Sequence, residues 1–282
     1  MLDNQKWKIP IAIAIFAIGG GVIKMLISAN ITDPITKSSP IVVKDRDSKI
    51  AKTTELNHLT VAKLAAAVTV RILNDGAPGS GVTIARNHKT YTVITCQHVV
   101  ADTKKDRYRV LLPDGKIYPA KVKFTPKFKG LDLALVEFKS PNNYQVVKLG
   151  DSGQLLADSS VYAAGFPNYQ KIDSERIEQT ITWGRRVFRL TSGKVGSISP
   201  QNLPEGYSLG YTNEVTSGMS GVPVFNDKGE LVCINGRLKY PVQGIDAFTF
   251  ADGTKPSIET FEQMEALSWA IPIAKIKHSN HK

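Results

Sequence analysis

Three short stretches of this chain carry the residue types that acyl transfer requires. Thr216-Ser217-Gly218-Met219-Ser220-Gly221 sets a serine between glycines, just ahead of the apolar run Val222-Pro223-Val224-Phe225. A serine hydroxyl can attack a carbonyl when it stands exposed on a tight turn, with backbone N–H groups aimed at the oxygen that gathers charge. Gly218 lets the backbone bend so that its own N–H and that of Ser220 point into one small space. Ser220 is the candidate nucleophile, and the N–H groups of Gly218 and Ser220 form the candidate oxyanion hole. The chain has five histidines to serve as base. His58 sits at a helix entry, His88 in a polar turn, and His278 and His281 in a polar tail. His98 follows the apolar run Tyr91-Thr-Val-Ile-Thr-Cys96 and leads into Val99-Val100. A histidine at a strand end beside a core is both held and exposed, as a general base must be. The third residue is Asp132, at the mouth of Leu133-Ala-Leu-Val136. An ionised carboxylate seldom enters such surroundings without a partner. A histidine N–H is such a partner, and it would fix the imidazole tautomer.

Each feature has an ordinary reading alone: a glycine-rich turn, a core histidine, a strand-entry aspartate. Their conjunction carries the weight. His98 and Asp132 fall in a first group of strand-like runs and Ser220 in a second, so the expected site lies in the cleft between the groups.

The runs themselves are short and separated by turns. Val68–Leu73, Gly81–Ala85, Tyr91–Thr95, Tyr108–Leu112, Lys116–Phe124 and Leu133–Phe138 make the first group. After a break at Pro141-Asn142-Asn143 come Ser160–Ala164, Arg186–Thr191, Gly193–Ile198, Ser208–Thr212, Val222–Phe225, Glu230–Asn235 and Ser268–Ile273. Such spacing predicts an all-β protein, and the division near residue 145 predicts two barrels. A short helix is expected over Leu59–Ala67, with Thr60 as its N-cap. The domain organisation read from this is 1–29 as signal peptide or membrane anchor, 30–55 as linker and 56–278 as the folded domain. Its first barrel covers about 56–145 and its second about 146–278.

Lys6 and Lys8 precede an apolar run beginning at Ile9, a positive flank typical of export signals and anchors. Cleavage after Ala29 would release a soluble protein. Uncleaved, Ile9–Ile27 is long enough to tether the chain to a membrane. Either reading puts the remainder outside the cytoplasm, in the periplasm or beyond. The two cysteines, Cys96 and Cys233, lie in apolar runs and read as free buried thiols. No histidine, cysteine or carboxylate cluster has ligand spacing, so neither a metal nor a cofactor is expected. The net charge is +11, with much of the excess between Lys104 and Lys148. An anionic partner is one reading. The preferred one is a solvated face, because these lysines alternate with apolar residues and no nucleic-acid motif accompanies them.

The motifs Thr95-Cys-Gln-His98-Val-Val-Ala-Asp102, Leu131-Asp132-Leu-Ala-Leu-Val136 and Gly218-Met-Ser220-Gly-Val-Pro-Val-Phe225, with Gly79-Ser-Gly-Val-Thr-Ile84, resemble those of the trypsin-like serine peptidases. The likeness is nearest to the bacterial glutamyl and high-temperature-requirement branches and runs from about Val68 to Ile273. It implies two six-stranded antiparallel barrels and hydrolysis of polypeptide substrates through an acyl-enzyme, without a C-terminal peptide-binding module. It also implies that Asn235, Gly236 and Arg237 pair with substrate backbone by β-augmentation. Trp269 and Ala270 are expected to wall the pocket for the residue before the scissile bond, and Glu214 to form its floor. Two departures stand out. Met219 occupies a position where the family often has Asp or Asn, so activation through an ion pair there is not expected. Val222 replaces a small residue and is expected to crowd the turn. The rival readings are a peptidase-fold binding protein with little turnover, and a peptidase that docks on anionic partners.

Overall fold

The computed structural model describes residues 58–101, 107–199 and 201–277. Expectations for the N-terminal segment, the linker, and His278 and His281 lie outside these residues. Among the described residues no helix is long and apolar enough to cross a membrane.

Helix α1 spans residues 58–68. It buries Val61, Ala65 and Val68, which share one face at helical spacing. Thr60 lies inside this helix rather than at its cap. The last turn is closed by Arg185, which donates to the carbonyls of Ala66 (2.8 Å) and Thr69 (3.2 Å), satisfying helix-end acceptors that lack a partner of their own.

Strands β1 (Thr69–Leu73), β2 (Gly79–Asn87), β3 (Thr90–Thr95), β4 (Tyr108–Leu111), β5 (Ile117–Lys123) and β6 (Ala134–Lys139) close a barrel in the order β1-β2-β3-β6-β5-β4. The sequence alternation sets its inside and outside. In β6, Ala134, Val136 and Phe138 point into the core, while Glu137 faces out and pairs with Lys123 of β5 at 2.7 Å. The basic residues of this barrel behave as a solvated face, several with acidic partners: Lys116 with Asp114 and Arg107 with Asp75, as well as Lys123.

The chain then forms β7 (Ser160–Gly165), the small hairpin β8 (Tyr169–Lys171) and β9 (Ile177–Gln179), and β10 (Arg189–Ile198). β11 (Leu209–Tyr211), β12 (Pro223–Phe225), β13 (Leu231–Arg237) and β14 (Ser268–Pro272) follow. Strands β10-β11-β14-β13-β12-β7 close the second barrel, and every strand pairing is antiparallel. The fold is therefore all-β with two six-stranded barrels, as expected. Its details differ in three places. The runs Arg186–Thr191 and Gly193–Ile198 are not two strands. A 3₁₀ turn ends at Val187 and one strand, β10, follows. Gly193 does not break this strand, because it serves close approach: a Cβ there would lie 2.3 Å from Asn213 Oδ1. The β8–β9 hairpin was not foreseen. Nor was α2 (Ile258–Glu265), which is capped by Ser257 accepting from the Thr260 N–H and packs beneath Trp269 in the long β13–β14 connection.

Both motif departures have a packing explanation. Met219 is fully buried within the second barrel's apolar cluster, beside Val215 and Val222. Burial of such a side chain contributes about 1.5–3 kcal/mol. Val222 is equally buried, and a glycine in β7 makes room for it: a Cβ on Gly165 would lie 2.1 Å from Val222 Cγ1. Crowding is thus relieved across the strand pair rather than transmitted to Ser220.

Candidate active site

His98 rides on a 3₁₀ turn, Gln97–Val100, that begins where β3 ends. Val99 and Val100 are buried and anchor the turn, while the His98 side chain is 48% exposed. Asp132 lies just ahead of β6 and is almost fully buried. Its Oδ2 is 2.6 Å from His98 Nδ1, and its Oδ1 accepts from the His98 backbone N–H at 2.9 Å. An ionised carboxylate only accepts, so Nδ1 is the donor in this bond and Nε2 is left with the free lone pair. The Asp132 carboxyl lies below its ordinary value. Burial pushes it up, but the hydrogen bond and charge of His98 outweigh that, aided by the Tyr207 hydroxyl and the His98 N–H.

Tyr207 is a residue that sequence reading missed. It precedes β11 in the second barrel, is fully buried, and donates its hydroxyl to Asp132 Oδ2. Burial, with the nearby Cys96 and Asp132, drives its own ionisation far up, so it stays a donor. Gly236 makes the contact possible: a Cβ there would lie 1.9 Å from Tyr207 Oη and 2.9 Å from Cys96 Sγ. Nothing in the run Tyr207-Ser-Leu-Gly-Tyr211 separates this tyrosine from any strand aromatic. Its role becomes visible only when the two barrels meet.

Ser220 is part of the second barrel, but its turn is seated on the first. Its carbonyl accepts from the Ser80 N–H at 2.8 Å, and Ser80 Oγ donates to the Gly218 carbonyl at 3.0 Å. Gly218 and Gly221 have φ of +90° and +82°, a region that favours glycine. At Gly221 the space excludes any side chain, since a Cβ would lie 2.2 Å from both Ser80 O and Thr95 Oγ1 and 3.1 Å from Cys96 N. The serine turn thus sits against the strand end that leads to His98. Among the described residues, the N–H groups of Gly218 and Ser220 have no protein acceptor, and Ser220 Oγ makes no hydrogen bond within 3.5 Å. Serine–base contacts often tighten only when substrate is bound.

The expected substrate residues fare differently. Asn235 is fully buried. Its carbonyl accepts from Gly221 N (2.8 Å) and Cys96 Sγ (3.2 Å), its N–H donates to Val222 O, and its side chain meets the Tyr211 hydroxyl. It supports the serine turn and has no free group to offer a peptide. Gly236 lies at the bulge between β13 and β14. Arg237 stacks over the Tyr207 ring at 4.6 Å and donates to Ala247 O. Trp269 is buried with its Nε1 on Met264 O, and it lines a cavity of about 590 Å³ together with Arg237, Leu238 and Phe248. Ala270 faces the second-barrel interior. Glu214 is not a buried floor: its side chain is 74% exposed and paired with Lys239 at 2.7 Å. Six residues before Ser220, the chain is already at the surface, next to buried Val215.

Both cysteines are free and buried. The donor atoms of Cys96, His98 and Asp132 lie within 4.8 Å of one another. The Asp132 oxygens already serve His98 and Tyr207, and burial and the Asp132 charge hold the Cys96 thiol protonated, so this cluster fits a hydrogen-bonded network around Asp132 better than a cation site.

Two closed six-stranded barrels, with a His–Asp pair on one and a glycine-flanked serine from the other, define a chymotrypsin-like fold. The family model for the trypsin-like peptidase domain matches residues 79–234, more than half of the chain, and the chain belongs to that family. It is 29% identical over 160 residues to "Serine protease HTRA1A" of Danio rerio, covering 56% of this chain and 30% of that protein. To "Serine protease Do-like HtrB" of Bacillus subtilis it is 28% identical over 172 residues, 61% of this chain and 35% of the relative. To "Probable periplasmic serine protease do/HhoA-like" of Haemophilus influenzae it is 31% identical over 173 residues, 61% and 33%. The chain spans about a third of the length of these relatives.

Proposed function

We propose that the protein is a serine endopeptidase that cleaves polypeptides through an acyl-enzyme. The observation that carries this reading is the Asp132–His98 hydrogen bond, which leaves His98 Nε2 as the acceptor at a serine turn whose two N–H groups are unengaged. In acylation His98 Nε2 takes the hydroxyl proton as Ser220 Oγ attacks the substrate carbonyl carbon. The carbonyl oxygen becomes an oxyanion that accepts from Gly218 N–H and Ser220 N–H. Collapse breaks the C–N bond, and the leaving amine receives the proton from His98. Water then repeats the cycle on the ester: His98 takes its proton, oxygen attacks, and Ser220 recovers its hydrogen. Asp132 stays ionised throughout, holding the ring and stabilising its cationic form. One support of the binding-protein rival, crowding of the serine turn by Val222, is weakened because Gly165 makes room for that side chain. The relatives' names include a periplasmic protease, which supports an exported location for this chain as well.

The test is Ser220→Ala. Wild-type protein should be labelled by a fluorophosphonate probe and should cleave members of a peptide library. The variant should do neither, with an unchanged circular dichroism spectrum and melting temperature. Labelling that persists in the variant would remove Ser220 from the nucleophile's role.

A further inference from the structure

Arg71 stands in the middle of β1 and is fully buried. Among the described residues no carboxylate forms an ion pair with it. A lone buried guanidinium is costly unless its donors meet well-placed oxygens. Here Nη1 donates to Thr180 O at 2.9 Å, and Nη2 to Asn168 Oδ1 at 3.0 Å, Thr180 Oγ1 at 3.3 Å and Pro167 O at 3.4 Å. All four acceptors belong to the segment joining β7 to β10 in the other barrel. Thr180 Oγ1 itself donates to the Pro167 carbonyl, so Arg71 and this bond together tie the segment's two ends.

The bonds continue to the serine turn. Asn168 is pinned by its Nδ2 on Pro78 O (2.8 Å) and by Thr180 N–H on its carbonyl (2.9 Å). So fixed, its own N–H donates to Ser217 O at 2.7 Å. Ser217 C=O and Gly218 N–H belong to one planar trans peptide and point in opposite directions. Anchoring the carbonyl on Asn168 therefore turns the Gly218 N–H away, to the side where it has no protein acceptor. Gly218 and Asn168 touch without slack, because a Cβ on Gly218 would lie 2.5 Å from Asn168 N. Met219, being apolar and buried, brings no charge that could hold this turn.

We infer that Arg71 is a positioning residue: from the face of β1 turned toward the second barrel it clamps residues 167–180 and, through Asn168, sets the Ser217–Gly218 peptide in the orientation that makes Gly218 N–H an oxyanion donor. The catalytic consequence rests on the peptidase reading, while the clamp itself is a structural statement that can be tested without activity.

The experiment compares wild type, Arg71→Met and Arg71→Lys in the full chain by two measurements. The first is hydrogen exchange of the amides in residues 214–222, with the β4–β5 hairpin as internal control. The second is the rate of fluorophosphonate labelling, with kcat and KM on a cleaved peptide. In Arg71→Met, exchange in 214–222 should rise on the order of tenfold with the hairpin unchanged. Labelling and kcat should fall by about 10²–10³, the size of losing one oxyanion donor, with KM nearly constant. Arg71→Lys should recover part of both, since an ammonium reaches some of the oxygens but cannot fork between them. A folded Arg71→Met with wild-type exchange in 214–222, or with wild-type labelling, overturns the inference. A wild type that neither labels nor cleaves sinks the peptidase reading instead, and the exchange measurement still decides the clamp. If Arg71→Met does not fold, Asn168→Ala removes one link and keeps the cation's contacts to Thr180 and Pro167. Wild-type exchange in that variant overturns the clamp equally.

Discussion

Replacing Tyr207 by Phe removes one oxygen from the site and nothing else of consequence in volume. The lost hydroxyl belongs to a residue that is 1% exposed and donates to Asp132, itself 5% exposed, so solvent cannot take its place readily. A hydrogen bond to a charged group in such surroundings contributes about 1.5–3 kcal/mol. For a domain of this size the melting temperature moves roughly 2–4 °C per kcal/mol, which predicts a fall of roughly 3–12 °C at neutral pH. The effect should depend on pH with a definite sign. Asp132 has a folded value below the ordinary one, so its stabilising contribution is present above the ordinary carboxylate value and is lost as pH falls through the folded value. Tyr207→Phe removes one of the bonds that lower it, and Asp132 titrates at higher pH in the variant. The stability gap should therefore be full above the ordinary carboxylate value and narrow as pH falls through the folded value of Asp132, below which the carboxyl is protonated in both proteins. Urea unfolding followed by intrinsic fluorescence at several pH values measures it. Activity should fall through kcat with little change in KM, since the residue orients the base and is buried away from any peptide. A stability gap that does not vary with pH would refute the claim that the tyrosine serves an ionised Asp132. A gap of zero would refute the hydrogen bond itself.

Further outcomes follow from the same geometry. Asp132→Asn should leave the fold intact and lower kcat by about 10⁴, because an amide can donate to Nδ1 and fix the wrong tautomer. Gly236→Ala should cost about 1–3 kcal/mol by overpacking and lower activity with it, because its Cβ would occupy the Tyr207 hydroxyl position. Retention of both stability and rate would show that the site is looser than drawn. Glu214→Gln should leave side-chain preference in a peptide-library profile unchanged and stability within about 1 kcal/mol, as expected for an exposed ion pair. A lost preference for basic residues would restore Glu214 to the pocket.

The parts legible in the sequence were those with local signatures. The alternating strands, the glycine-flanked serine, and the histidine and aspartate at strand ends are each defined by a few neighbouring residues. The contacts that sequence reading missed are those made by packing across elements. Tyr207 reads as a strand aromatic until the bulge at Gly236 admits its hydroxyl. Nothing in Thr69-Val-Arg-Ile-Leu73 marks Arg71, because its burial comes from the second barrel, whose residues 167–180 cover that face of β1. Asn235 sat in a plausible substrate strand, but its carbonyl and N–H are already bonded to Gly221 and Val222 after the serine turn. Glu214 was expected in the pocket floor from its place six residues before Ser220, but its side chain is exposed and pairs with Lys239.

The misses of Tyr207 and Arg71 have a common physical origin, which also bears on mechanism. Each barrel holds the other's functional group. The first barrel's Ser80 binds the carbonyls of Gly218 and Ser220, and its Arg71 reaches the loop that orients Gly218. The second barrel's Tyr207 holds Asp132, and its Glu205 carbonyl accepts from the Asp132 N–H at 3.0 Å. Displacements of about 1 Å in reacting groups can cost 10²-fold in rate. A site assembled this way inherits its precision from the barrel–barrel interface, not from the flexibility of any one loop. A substitution in that interface, far from Ser220 in sequence, should therefore lower kcat and stability together, as expected for Tyr207→Phe, whereas one on the outer face of β5 should do neither.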